Sequence, residues 1–225
     1  MSQRTYGFLF AFFATVFAGS AALLIWYGEK SHRQAAVYGQ LAAAVQRADP
    51  APTQAGEGTP LDDYRALSEE NPDMVGWIRI DGTNIDYPVV QCADEPNYYL
   101  KHDFAGRYTD FGCPFAQANC DVQDPSDNVI LYGHNMKDGS MFSDLVRYQS
   151  RSFWETHRTI HFDTLTRRGE YEVLAVCRLP ADALAFYTFV DAADAKDFAA
   201  YVATCKERAL YDTGVNAQYG DKLLT

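Results

Sequence analysis

Apolar and polar positions divide the chain into three textures. Gly7 to Tyr27 runs without a charged residue. Glu29 to Ala48 mixes Ala, Gln and Arg without proline and predicts a helical stalk. Asp49 to Pro60 (DPAPTQAGEGTP) is dense in Pro and Gly and predicts a linker. Leu61 to Glu70 then reads as a short helix, stopped by Asn71-Pro72. From Met74 onward short β-type runs alternate with turns. Strands are predicted at Val75–Ile80 and Ile85–Gln91, joined by the Asp81-Gly82-Thr83-Asn84 turn, and again at Phe111–Ala116 and Asn128–Tyr132. Thr159–Asp163 and Glu170–Leu179 read as a hairpin, and Lys222–Thr225 as the start of a last strand. Helical turns are predicted at Tyr98–Phe104, Met141–Tyr148 and Ser152–His157. Asp194–Leu210 is amphipathic, with Phe198, Tyr201, Cys205 and Ala209 on one face. Many short strands with a few lateral helices predict a closed or nearly closed barrel.

The division is residues 1–28 as a membrane anchor, 29–60 as stalk and linker, and 61–225 as the globular domain. At about 1.5 Å per residue, Gly7–Tyr27 spans roughly 30 Å, the thickness of a bilayer core. The run exceeds the roughly 7 to 15 residues of a secretory h-region, which favours an uncleaved anchor. Trp26 and Tyr27 stand at its end, where such rings favour the interface.

Composition narrows the partners. The 225 residues carry a formal charge of −11, and Arg4 is the one charged residue before Glu29. So acidic a domain argues against nucleic acid or an anionic surface as its main partner. Apolar residues at 48% and aromatics at 14% supply ample core.

The densest chemistry lies in Tyr132–Phe142 (YGHNMKDGSMF), which follows the apolar run Asn128–Leu131. His134 falls at the end of that strand, between a glycine and an amide, well placed for proton transfer. Four other histidines compete. His32 lies in the stalk, His102 is expected to cap or pair with Asp103, and His157 and His161 flank a strand start, where structural roles are the default. Among the cysteines, Cys177 shares a predicted strand face with Tyr171, Val173, Ala175 and Leu179, and Cys205 lies on an apolar helix face; both read as core. Cys92 closes a strand. Cys113 and Cys120 lie across a predicted loop, and a disulfide between them is left open. No Cys-x-x-Cys spacing points to a metal, and no cofactor is expected.

With this text around His134, the chain resembles the class B sortases, membrane-anchored cysteine transpeptidases of Gram-positive surfaces. The markers run in order from about Leu61 to Thr225: Asn71–Ile78, Gly82–Gln91, Tyr98-Tyr99-Leu100, Met141–Tyr148 and Tyr211–Val215. Asp94–Asn97 and Gly112–Gln117 depart from the family pattern and suggest a divergent loop at the barrel mouth. The resemblance implies an eight-stranded sortase barrel, an inside N-terminus and an extracellular domain. It implies that a thiolate attacks the Thr carbonyl of a sorting motif near a secreted protein's C-terminus. A peptidoglycan cross-bridge or pilin amine then resolves the thioacyl intermediate. His134 acts as the acid and base, and an arginine stabilises the oxyanion.

The family's nucleophilic cysteine lies in a late strand reading roughly Asp-Lys-Ile-Leu-Thr-Leu-Ser-Thr-Cys, and here Asp221-Lys222-Leu223-Leu224-Thr225 matches its start. The nucleophile is therefore expected just beyond Thr225, with the arginine further on; Arg147, Arg151, Arg167 and Arg168 match no family position for that role. As written, the chain is expected to form an incomplete barrel with its last strands missing, poorly stable and without transpeptidase activity. The alternatives to a working transpeptidase are an inactive remnant and a non-catalytic, membrane-anchored peptide-binding module.

Overall fold

The computed structural model describes residues 3–45, 61–180 and 186–225. The predicted linker Asp49–Pro60 and the last residues of the predicted stalk helix lie outside them. The chain divides into two compact units, residues 1–40 and 41–225.

One continuous helix, α1 (Gln3–Ala44), takes up the predicted anchor and the predicted stalk together. Glycines at 19 and 28 do not break it, since each costs only about 1 kcal/mol against alanine. Its apolar stretch is exposed all round: Phe8, Phe10, Phe17 and Leu24 are each more than 70% accessible. That pattern suits hydrocarbon rather than water. The hydroxyl of Thr15 turns back to the carbonyl of Ala11 at 2.9 Å, satisfying its polar group within the helix. The helix is long and apolar enough to cross a membrane.

In the second unit, α2 (Asp62–Glu70) opens on Asp62 and Asp63, which complement the helix dipole, and buries Tyr64 and Leu67. It stops at Asn71, held extended by Pro72. The freed Asn71 side chain donates to the Phe104 carbonyl at 2.7 Å and the Tyr99 hydroxyl at 3.1 Å. Arg168 fastens α2 to the sheet by reaching Asp63 and, at 2.9 Å, Asp163. Tyr64 donates to the same Asp163 carboxylate at 2.6 Å.

Strands β1 (Met74–Arg79) and β2 (Asp86–Val90) form an antiparallel hairpin in which Trp77 faces Pro88. Pro88 is tolerated because β3 (Phe115–Ala116) joins β2 only further along, at Val90. β5 (Leu131–Tyr132) extends that side, while β6 (Thr159–Thr164) and β7 (Glu170–Glu172) extend the other. The six form one curled sheet in the order β5-β3-β2-β1-β6-β7. A separate parallel pair joins β4 (Asn128–Val129) to β8 (Leu223–Leu224). Around this half-barrel lie 3-10 turns at Tyr98–Leu100 and Ser143–Gln149, and helices α3 (Arg151–Thr156) and α4 (Ala195–Arg208). The Asp194 carboxylate caps α4 by accepting from the amides of Lys196 and Asp197.

Three predicted strands are shorter than expected. Phe111–Ala116 contracts to β3, because Gly112 turns at φ +65° and Pro114 has no amide to donate. Asn128–Tyr132 is split at the buried Ile130, its halves belonging to different sheets. Glu170–Leu179 ends at Glu172; beyond it the chain leaves β6 for the segment after α4, through a Cys177–Ala209 bridge and a 2.8 Å bond from Leu210 N to Val176 O. Cys177 therefore shares no strand face with Tyr171.

Candidate active site

His134 follows β5 by one glycine. That glycine is required: a Cβ on Gly133 would come within 2.6 Å of the Phe142 ring. The loop after His134 closes on itself. The amide of Phe142 donates to the His134 carbonyl at 2.9 Å, and Asn135 bridges Met141. Met141 holds a left-handed backbone at φ 55°, which costs a non-glycine residue about 1–2 kcal/mol. Its environment offsets that: Met141 is 1% exposed, and its amide donates to the Tyr87 hydroxyl at 3.1 Å. Burial pushes the Tyr87 phenol up to about 12, so it is neutral near pH 7 while its oxygen accepts from the Met141 amide. From outside, the Asn84 side chain donates to the Gly139 carbonyl at 3.2 Å, and its amide donates to Asp144 at 2.7 Å.

The imidazole is aimed by the chain opposite it. Nε2 of His134 lies 2.8 Å from the Leu100 carbonyl, at the end of the Tyr98–Leu100 turn. A carbonyl only accepts, so the hydrogen of neutral His134 sits on Nε2 and the Nδ1 lone pair is left for chemistry. Leu100 was legible only as part of a family marker; its role belongs to its backbone.

The remaining histidines are engaged elsewhere. His102 does not pair with Asp103. It stacks on Tyr98, 3.9 Å between centroids, with Nδ1 2.7 Å from the Tyr98 carbonyl. Asp103 serves its own loop, accepting from the amides of Ala105 and Arg107 and the Arg107 guanidinium. His157 stacks on Phe153 at 3.9 Å, and His161 lies between Asp81 and Glu170. His32 sits exposed on α1.

All five cysteines are free thiols. Cys113 and Cys120 are buried apart, the first donating to the Pro88 carbonyl and the second to that of Asn128. Burial pushes the Cys205 thiol up to about 11 and raises Cys177 and Cys120 as well. Those three are poor thiolates at neutral pH. Three of the four arginines named above are occupied: Arg147 with Asp144, Arg151 with Glu155, and Arg168 with Asp63 and Asp163. Among the described residues, no three His, Cys, Asp or Glu side chains converge as metal ligands.

The direction of β8 matters as much as the histidine. It runs parallel to β4, with Asn128 opposite Leu223 and Val129 opposite Leu224. Thr225 continues the ladder, donating to the Val129 carbonyl at 2.9 Å and accepting from the Leu131 amide at 2.7 Å. Lys222 pairs with Asp127 at 3.1 Å at the root of the pair. The Asp127 carboxyl lies below its ordinary value, held there by the Ala192 amide and then by Lys222. Chain direction on β8 thus leads along Asn128–Tyr132 toward His134.

No protein-family model matches the chain. Sortase B of Listeria monocytogenes is 34% identical over 184 residues, 82% of this chain and 73% of the relative. A Bacillus anthracis protein described as similar to sortase B superposes with a TM-score of 0.79 at 30% identity, covering 86% of this chain and 88% of that one. The Staphylococcus aureus sortase B–substrate complex gives 0.77 at 25%, covering 87% and 88%. The curled sheet agrees with these likenesses over most of the chain, which belongs to the sortase B family.

Proposed function

We propose that the protein is a membrane-anchored cysteine transpeptidase that cleaves a sorting motif near the C-terminus of secreted proteins. It joins them to an amine of the cell wall or of a pilin. His134 is the acid and base. Through Nδ1 it protonates the departing amine as the thioacyl bond forms, and deprotonates the incoming amine as that bond breaks. The single observation that carries this reading is the course of β8 alongside β4. Extended in the same register, a strand past Thr225 brings its fourth residue level with His134. There the family resemblance expects the cysteine thiolate.

Peptide binding is supported by the S. aureus relative, whose structure is a substrate complex. Helix α1 is read as the anchor, with the N-terminus inside and the 61–225 domain outside. The test is to read the gene through and beyond the codon for Thr225, and to assay its product against fluorogenic sorting peptides. A cysteine at the fourth position, with cleavage abolished by His134→Asn, is the expected result. A frame that stops at Thr225, with peptide bound but never cleaved, overturns the catalytic reading in favour of a binding module.

A further inference from the structure

Asn128 is 0% exposed, the most deeply buried of the polar side chains among the described residues. Every polar atom of its amide is engaged. Nδ2 donates to the Phe189 carbonyl at 2.9 Å and to the Tyr201 hydroxyl at 3.3 Å. Oδ1 accepts from the Thr225 hydroxyl at 2.8 Å, which lies 3.4 Å from the Tyr201 hydroxyl. Because the Phe189 carbonyl can only accept, the orientation of the amide is fixed. The Asn128 main chain adds two more ties, its amide to Val190 O at 2.8 Å and its carbonyl to the Cys120 thiol. One side chain thereby joins β4, α4, the Phe189–Val190 segment and the strand that ends in Thr225.

The β4–β8 ladder runs from Leu223 N on Asp127 O to Leu131 N on Thr225 O, and the Asn128 amide is a buried side-chain tie across it. We propose that Asn128 is a positioning residue for the reaction: its amide fixes the register of β8 against β4 and thereby the alignment of that strand with His134. This rests on the function proposed above and assigns Asn128 no contact with substrate. A fully paired buried amide specifies one arrangement, because any slip strands a desolvated polar group. Valine, leucine or carboxylate at 128 loses that selection. The titratable neighbours do not compete near neutral pH, since burial raises both the Tyr201 hydroxyl and the Cys120 thiol. Asp127, next along the strand, is held ionised there by the Ala192 amide and Lys222.

The test is residue-resolved amide exchange on the full chain in detergent micelles, comparing wild type with Asn128→Leu and Asn128→Asp. The Leu131 and Thr225 amides, which make the β8 ladder, are expected to exchange about tenfold faster in both variants. The Trp77 and Ile78 amides of β1 are expected to change less than about twofold. Acidification restores protection in Asn128→Asp after correction for intrinsic exchange, because a protonated carboxyl again both donates and accepts, and leaves Asn128→Leu unrestored. Unchanged exchange at Leu131 and Thr225 overturns the proposal. So does a uniform increase that includes β1, which marks Asn128 as scaffold only. Neither readout requires turnover: peptide cleavage indifferent to His134 defeats the proposed function, while the register claim stands or falls on the Leu131 and Thr225 amides alone.

Discussion

The Nε2 atom of His134 and the carbonyl oxygen of Leu100 stand 2.8 Å apart, although 34 residues separate them along the chain. A backbone acceptor cannot titrate, so it specifies the same imidazole tautomer at every pH where the ring is neutral. Nitrogen-15 NMR of the neutral ring is expected to show hydrogen on Nε2 and a bare Nδ1. The reverse assignment removes Leu100 from the site.

The ring of Phe142 covers Gly133 so closely that no side chain fits there. Gly133→Ala is expected to destabilise the fold by about 1–3 kcal/mol, read from urea unfolding. Adding Phe142→Leu should recover part of that loss. No recovery would place the strain elsewhere.

Arg168 lies between Asp63 and Asp163, all three side chains less than a quarter exposed. Desolvation, and then Asp163, holds the Tyr64 phenol far above its ordinary value. Arg168→Met leaves two carboxylates facing each other beside that phenol. We expect a loss of about 2–4 kcal/mol, with α2 the first element to detach in exchange measurements.

Asp127 supplies a pH dependence of definite sign. Its folded carboxyl titrates below the ordinary 3.8, because the Ala192 amide and then Lys222 favour the charged form. The stabilisation is fully present above about pH 4 and is lost as pH falls through the lowered folded value. The stability gap between wild type and Asp127→Asn is therefore expected to narrow on acidification. A gap that widens contradicts the assignment.

Thiol reactivity should sort the cysteines. With its thiol near 11 rather than 9, Cys205 holds about a hundredfold less thiolate than an ordinary cysteine at the same pH. Alkylation of the folded protein is expected to mark the partly exposed Cys92 well before Cys205. Equal rates would indicate that α4 opens readily.

Much of the architecture was legible where one element keeps one pattern throughout. Helix α2 ends at Asn71-Pro72 as its text implies. Of the predicted face of α4, Phe198 and Tyr201 are buried, with Val202 beside them, while Cys205 is only half-buried and Ala209 lies just past the helix end. The place of His134 just past a strand was legible from its motif. What the pattern hid were changes of partner within a run. Asn128–Tyr132 looks like one strand, since a strand that switches sheets at Ile130 has the same apolar periodicity as one that does not. The far half of Glu170–Leu179 fails for the same reason. His102 was misassigned because adjacency to Asp103 suggested a pair, whereas the flat face of Tyr98 one helical turn earlier offered more contact.

The two sheets also differ in when they can form. Trp77 and Asp86, across the β1–β2 hairpin, are 9 residues apart, while Asn128 and Thr225 are 97. Closing the longer loop costs about 2 kcal/mol more chain entropy. All strands of the six-stranded sheet lie before Val173, so they can assemble during synthesis while the outer edge of β4 waits unpaired. Such an edge is open to foreign strands until β8 arrives. The side of the molecule that carries His134 thus closes only after the six-stranded sheet can form, once β8 has been made.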